Sequence, residues 1–295
     1  MGCSARAPSR ALGFALVWAL ASGSPLRAGD VLPESGALED AIPSGASLTG
    51  REIYLRFLQN RLHSAIQHQV VISTDPGGDE QRTRFWVQYK DYTSERFASD
   101  ASAVGRNVAS KTLVKFDSPP DMRHTGYLMI ANRDQSSDHF MYRPTDRKVR
   151  RIRLEGMTVM GTDYTFDDIT YSDMSDAEYR RMPDATVAGL DCFVIEMILP
   201  DYVRAEHVRT LTYLEKAHYV PVRQRFWDRP GVELREMLAD TSSILEFDGV
   251  WVATRTSMHN LQEGTSSRLF VENLDPNPVL AEQMFSMFRL ELRRK

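Results

Sequence analysis

Three aspartates, Asp163, Asp167 and Asp168, crowd the end of the stretch "RIRLEGMTVMGTDYTFDDI" (residues 151–169). Carboxylates this close together suit acid–base work or a hard cation. A calcium loop, however, needs alternating oxygen ligands and a distal glutamate, a pattern the stretch does not have. The seven histidines are scattered, with no HExxH and no pair at ligand spacing beside a carboxylate. Nucleophile elbow, phosphate loop and dinucleotide fingerprint are all missing from the sequence. Three readings of the aspartates remain: caps at the start of a short helix, favoured by its dipole; a partner-docking surface; or a metal or acid–base site. A hydrolase built on Asp167 or Asp168 is the enzymatic form of the third. The expectation is a non-enzymatic protein with no catalytic residue, metal or cofactor.

The apolar half of the same stretch has a different chemistry. Gly156 and Gly161 bracket Met157, Val159 and Met160, with Tyr164 and Phe166 just beyond. Glycine permits the backbone excursions of a hinge, and methionine adapts to ligands of varied shape. The segment reads either as a movable greasy flap or as a fixed loop plugging an ordinary core. Immediately upstream, "RPTDRKVRRIR" places Arg143, Arg147, Lys148, Arg150, Arg151 and Arg153 on both faces of a strand. That is the pattern of a solvated edge strand protected by positive charge, or of a docking patch for lipid headgroups or an acidic partner.

The ends of the chain bound where such a segment would work. Arg6 and Arg10 precede an apolar run over residues 11–21, followed by small residues as far as Ala28. This describes a secretory signal peptide over 1–28, cleaved near Ala28, and the run is shorter than the roughly 20 residues a spanning helix needs. Cys3 precedes the apolar run and cannot become a lipid-attachment cysteine after cleavage. Cleavage removes Arg6, Arg10 and Arg27 and no acid, taking the formal net charge from −4 to −7. That balance argues against nucleic acid as a partner. Cys192 is then the one remaining cysteine, so no internal disulfide can form, and its apolar neighbours make it a buried, inert thiol.

Residues 29–47 mix proline, glycine and acids without periodicity and read as a flexible linker; 48–295 reads as a single domain. Thr49 with Glu52 forms a capping box, and Leu48 with Ile53 the flanking staple, opening a helix of about 14 residues. Beyond it, β-rich runs are separated by turn chemistry at Pro76-Gly77-Gly78, 133–138, Pro144-Thr145-Asp146, Ala188-Gly189, 228–231, Asp248-Gly249 and Glu263-Gly264. The spacings are too short for helical crossovers, which favours consecutive antiparallel hairpins, about ten strands curling into a barrel or partial barrel. Phe193, Ile195, Met197 and Leu199 share one strand face; Val222, Gln224 and Phe226 share another. A sheet with a greasy face needs a cover, and the candidates are the helix at 49–62, the segment 156–169 and the C-terminal stretch 279–292.

"FDSPPDMRHTGYLMI", "HFMYRPTDRKVRRIR", "GMTVMGTDYTFDDI", "GLDCFVIEMIL" and "FDGVWVATRTSMHNLQ" together resemble the outer membrane lipoprotein-sorting protein family, the LolA-like branch associated with RND/MMPL-type exporters. The resemblance covers roughly residues 85–275. It implies a mainly β (α+β) fold: a half-open antiparallel β-barrel with an N-terminal helix, its concave apolar face lidded by helices and loops. The chain is longer than the lipoprotein carriers, and no motif marks the arginine with which they fasten the lid. The implied function is a periplasmic carrier, expected to be monomeric, that binds acyl chains of a lipoprotein or lipid for transfer toward the outer membrane. Met157, Met160, Tyr164, Phe166, Ile195 and Met197 are then the lipid-binding and lid residues. The alternative is an accessory subunit docking on an RND/MMPL-type inner-membrane exporter through the basic run 143–153.

Overall fold

The computed structural model describes residues 48–93, 108–132, 137–153, 157–159, 161–166, 176–203 and 205–292. The signal-peptide and linker segments, Gly156, Met160, Asp167 and Asp168 lie outside the described residues.

Helix α1 (Gly50–Gln59) opens as its sequence dictates. Thr49 Oγ1 accepts from the Glu52 amide at 3.2 Å, and the Glu52 carboxylate accepts from the Thr49 amide at 2.7 Å. Leu48 packs beside Ile53 in the same apolar cluster. The helix stops earlier than its periodicity predicts. Asn60 instead turns its side chain onto the Trp251 backbone, donating to the carbonyl at 2.8 Å and accepting from the amide at 3.0 Å, and the chain leaves the helix there.

Fifteen strands follow among the described residues: β1 (Ser64–Thr74), β2 (Glu80–Asp91), β3 (Val108–Ser118), β4 (Gly126–Asn132), β5 (Asp138–Arg143), β6 (Lys148–Ile152), β7 (Glu178–Val187), β8 (Leu190–Ile198), β9 (Arg209–Glu215), β10 (Pro221–Trp227), β11 (Glu233–Ala239), β12 (Ile244–Phe247), β13 (Val250–Ala253), β14 (Arg255–Asn260) and β15 (Ser266–Pro276). Six of the seven turn signals fall between consecutive strands; of the seventh, 133–138, only Ser137 and Asp138 are described, and Asp138 opens β5. The predicted ten is an undercount because several strands turn without glycine or proline between them. In the β9–β10 turn Tyr219 (φ 60°) adopts the left-handed conformation in their place.

Thirteen strands form one antiparallel sheet in the order β6-β5-β4-β3-β2-β1-β15-β14-β11-β10-β9-β8-β7, and β12–β13 stand apart as a hairpin. The sheet does not close. Its two free edges, β6 and β7, are consecutive in the chain, so residues 153–177 must pass from one edge to the other. The curl brings distant strands together: Tyr89 of β2, Ile195 of β8 and Leu214 of β9 share a cluster with Ile53, Tyr54, Phe57 and Leu58 of α1. The result is a half-open barrel. Gly50 lets α1 sit this close, since a Cβ there would lie 2.7 Å from the Arg180 backbone.

We call the face beneath α1 the inner face. On β2, Phe85 and Val87 continue the inner row of Tyr89, whereas Trp86 points outward to a cluster with Leu113, Leu128, Leu280, Phe285 and Leu290. The C-terminal stretch thus covers the outer face of β2–β5, as a 3-10 turn (Glu282–Phe285) and a short helix α2 (Met287–Glu291). Outward lysines pin it. Lys90 Nζ donates to the Leu280 carbonyl at 2.6 Å, Lys111 pairs with Glu282, and Lys115 donates to the carbonyls of Leu290 and, at 3.2 Å, His124.

Burial, with the nearby Arg289 charge adding to it, pushes the Lys115 ammonium down to about 8. Its folded pKa therefore lies below the unfolded value, so the unfolded chain holds the extra proton and stability rises with pH between about 8 and 10.5. Thermal melts of the wild-type chain should gain stability on the order of 2 kcal/mol across that window relative to Lys115→Met. Parallel curves for the two proteins would show that Lys115 is not the titrating group.

Candidate functional site

Where the chain crosses between the free edges, it dips into the hollow. Residues 157–166 form a tight reversal: the Val159 amide donates to the Tyr164 carbonyl at 2.7 Å, the Phe166 amide to the Met157 carbonyl at 3.0 Å, and Thr158 bridges Thr165. Gly161 sits at its tip with φ 71°, a conformation costly for a side-chain-bearing residue. The short reversal is not part of the thirteen-stranded sheet.

Its side chains fill the inner face. Val159, Tyr164 and Phe166 are each 2–3% exposed and cluster with Val71, Phe85, Phe116, Tyr127, Met237 and Leu269. Phe166 meets Tyr127 edge-on at 4.9 Å between ring centroids, and Met157 packs at the margin of the cluster. At roughly 1.5–3 kcal/mol per fully buried large apolar side chain, three such residues contribute on the order of 6 kcal/mol to keeping the plug seated.

Polar contacts fix its position. Asp163 is buried, and its carboxylate accepts from the Thr265 hydroxyl and, at 2.6 Å, from the Ser267 hydroxyl. Its carbonyl accepts from the Arg235 guanidinium at 2.9 Å, and the Tyr164 hydroxyl meets Thr256 Oγ1 at 2.7 Å. Arg235, 2% exposed, also binds the Glu206 carboxylate at 2.7 Å and lies 5.4 Å over the Phe226 ring. Asp163 therefore does not cap a helix, as one sequence reading had it. It locks the plug to the β14–β15 turn, and Arg235 of β11 fastens the plug backbone.

The six residues expected at the lipid site divide between two places. Met157, Tyr164 and Phe166 belong to the plug. Ile195 and Met197 lie beneath α1, Ile195 fully buried and Met197 packed at the cluster's margin. Met160 lies outside the described residues. Arg143, Arg147, Lys148, Arg150, Arg151 and Arg153 are all exposed on or beside the β5–β6 hairpin, at one free edge of the sheet. Arg150 pairs with Asp146 at 3.3 Å and Arg151 with Asp138. Cys192 is fully buried, and burial pushes its thiol up to about 11, which suits an inert role. Among the described residues, no group of three or more histidine, cysteine or acidic side chains could hold a metal ion. No helix among them is long and apolar enough to cross a membrane.

A family model described as "Uncharacterized protein" matches residues 109–292. No curated protein matches the chain in sequence. Among the solved structures that share its fold are the following three. A domain from Vibrio parahaemolyticus assigned as an outer membrane lipoprotein-sorting protein superposes with a TM-score of 0.71 at 22% identity, over 82% of this chain and 98% of its own. A DUF1329 family protein from Desulfovibrio piger gives 0.72 at 21% identity, over 82% and 97%. A LolA superfamily protein from Nitrosomonas europaea gives 0.62 at 17% identity, over 81% and 98%.

Replacing Arg235 with methionine leaves the Asp163 carbonyl and the Glu206 carboxylate without their cation. The expected cost is about 2 kcal/mol in melting experiments. Backbone amides of residues 157–166 should also exchange with deuterium faster, while those of β1–β3 keep their wild-type protection. Unaltered exchange at the plug would remove Arg235 as its fastener.

Proposed function

The chain belongs to the family whose model spans residues 109–292 and has the fold of the LolA superfamily; on that premise we propose that it is a non-enzymatic periplasmic carrier that shields acyl chains of a lipid or lipoprotein on their way toward the outer membrane. One observation carries the reading: the greasy inner face of an unclosed barrel is covered by a separate reversal of chain held through a few polar contacts. A cover of that kind can leave without breaking a sheet ladder, whereas one built into the sheet could not.

The energetics suit an exchange. Each methylene is worth about 0.8 kcal/mol on burial, so a 14-carbon chain left in water forgoes on the order of 10 kcal/mol. That is comparable with what the plug's side chains lose by withdrawing. The cargo replaces the plug against the inner face, and release returns the plug to its seat. Met157, Met160, Tyr164 and Phe166 act as the lid, and Ile195 and Met197 line the region under α1. The signal peptide read at 1–28 delivers the carrier to the periplasm.

The experiment is uptake of a fluorescent fatty acid by protein purified without detergent, followed with native mass spectrometry to detect co-purifying lipid. Arg235→Met should take up the probe on the order of tenfold faster than wild type, because its plug opens more often. A folded wild-type protein that takes up no acyl probe, even after delipidation, would end the carrier reading.

A second reading rests on the β5–β6 hairpin, whose six cations stand exposed at a free edge. There the hairpin docks on an RND/MMPL-type exporter while the plug stays a fixed part of the core. Reversing Arg150 and Arg151 to glutamate separates the two: lost capture of the exporter with normal lipid uptake supports docking, and capture unchanged by the reversal counts against it.

A further inference from the structure

The inner face is not uniformly apolar. Between the plug cluster and the α1 cluster it carries buried polar side chains. On β1, Gln67 and Gln69 are 0% and 1% exposed and stand opposite Val87 and Phe85, which places both on the inner face. Gln69 Nε2 donates to Gln67 Oε1 at 2.5 Å, which leaves Gln67 Nε2 and Gln69 Oε1 buried with no hydrogen-bond partner. On the facing half of the sheet, Thr210, Thr212 and Gln224 are each 4% exposed. Thr212 pairs across the sheet with Ile195 beneath α1, and Gln224 with Met237 of the plug cluster, so they mark the same border. Gln224 donates to Thr212 at 3.0 Å, and the Thr210 hydroxyl has no partner.

An amide donor, an amide acceptor and a hydroxyl buried without partners cost roughly 1–3 kcal/mol each. A sheet serving only to enclose hydrocarbon would be more stable with leucine or valine there. The arrangement makes sense if something with its own hydrogen-bonding group enters. A donor Nε2 beside an acceptor Oε1 matches a group that both accepts and donates, such as an ester or amide carbonyl next to a hydroxyl or N–H.

We infer that Gln67 and Gln69, with Thr210 across the hollow, form a binding site for the polar linkage of an acylated ligand, so that the cargo is an acyl ester or amide held by its linkage as well as its chain. This deepens the carrier reading and rests on it. It names the substrate class: ligands whose chain joins a glycerol-like or amide-bearing group, in preference to bare hydrocarbon. The chains then occupy the apolar regions on either side, under α1 and where the plug now sits.

The test compares two probes of equal chain length, a pyrene-labelled tetradecanoyl monoglyceride and a pyrene-labelled alkane, in equilibrium binding to the full chain. The Gln67→Leu/Gln69→Leu variant should lose tenfold or more in affinity for the monoglyceride, and bind the alkane as tightly as wild type or tighter. Thr210→Val, nearly the same shape, should show the same selective loss to a smaller degree, and it decides the matter if the double variant fails to fold. Equal losses for both probes, or no loss for either, would overturn the linkage site while leaving the carrier reading intact. Wild-type protein that binds neither probe would overturn both.

Discussion

The governing constraint is topological. A thirteen-stranded antiparallel sheet curls around an inner face but leaves β6 and β7 unpaired with one another, and these edges are joined by consecutive chain. That connection has to cross the mouth of the hollow. A polar crossing would have left a large apolar surface in water. Instead it carries Val159, Tyr164 and Phe166 inward, and the hollow closes on its own connecting segment. The same stretch therefore completes the core without joining the sheet.

The two faces of the sheet are covered by different chemistry. Outside, the C-terminal stretch is held by buried lysines on backbone carbonyls and by the Lys111–Glu282 pair, in addition to its own apolar cluster. Inside, the plug relies on one arginine and two hydroxyls gathered on Asp163 and its carbonyl, and on the Tyr164–Thr256 hydroxyl pair. Arg235 is itself tied to Glu206, whose side chain is about one-third exposed. The inner fastening thus ends in a carboxylate that water reaches, as the Lys111–Glu282 pair does outside, whereas the other two outer pins, Lys90 and Lys115, end on buried backbone.

Much of this fold is legible residue by residue. Thr49 and Glu52 announce the start of α1, and the glycine- or proline-bearing turn signals land between strands because those residues adopt the required backbone cheaply. The alternation at Phe193, Ile195 and Met197 correctly marks a face that α1 covers. The motif strings also led to the right fold. What stayed hidden is long-range and polar. Nothing near Arg235 marks it as the partner of a carbonyl 72 positions away, and Asp163 beside Tyr164 looks like a helix cap until Thr265 and Ser267 are brought to it. The β9–β10 turn made by Tyr219 is equally invisible, since that residue type does not favour a positive φ strongly enough to signal one.

The buried glutamines complete the physical picture of how such a barrel could release what it binds. A hollow lined only with hydrocarbon gains more free energy the longer the chain it encloses, and a tight complex of that sort gives up its load slowly. Polar groups at the border between the two apolar clusters lower the affinity for bare chain, because an alkane passing them leaves Gln67 Nε2 and Gln69 Oε1 unpaired. A ligand with a linkage recovers that loss only when seated at one depth. On the proposed carrier reading, register comes from the polar border and capacity from the greasy ends.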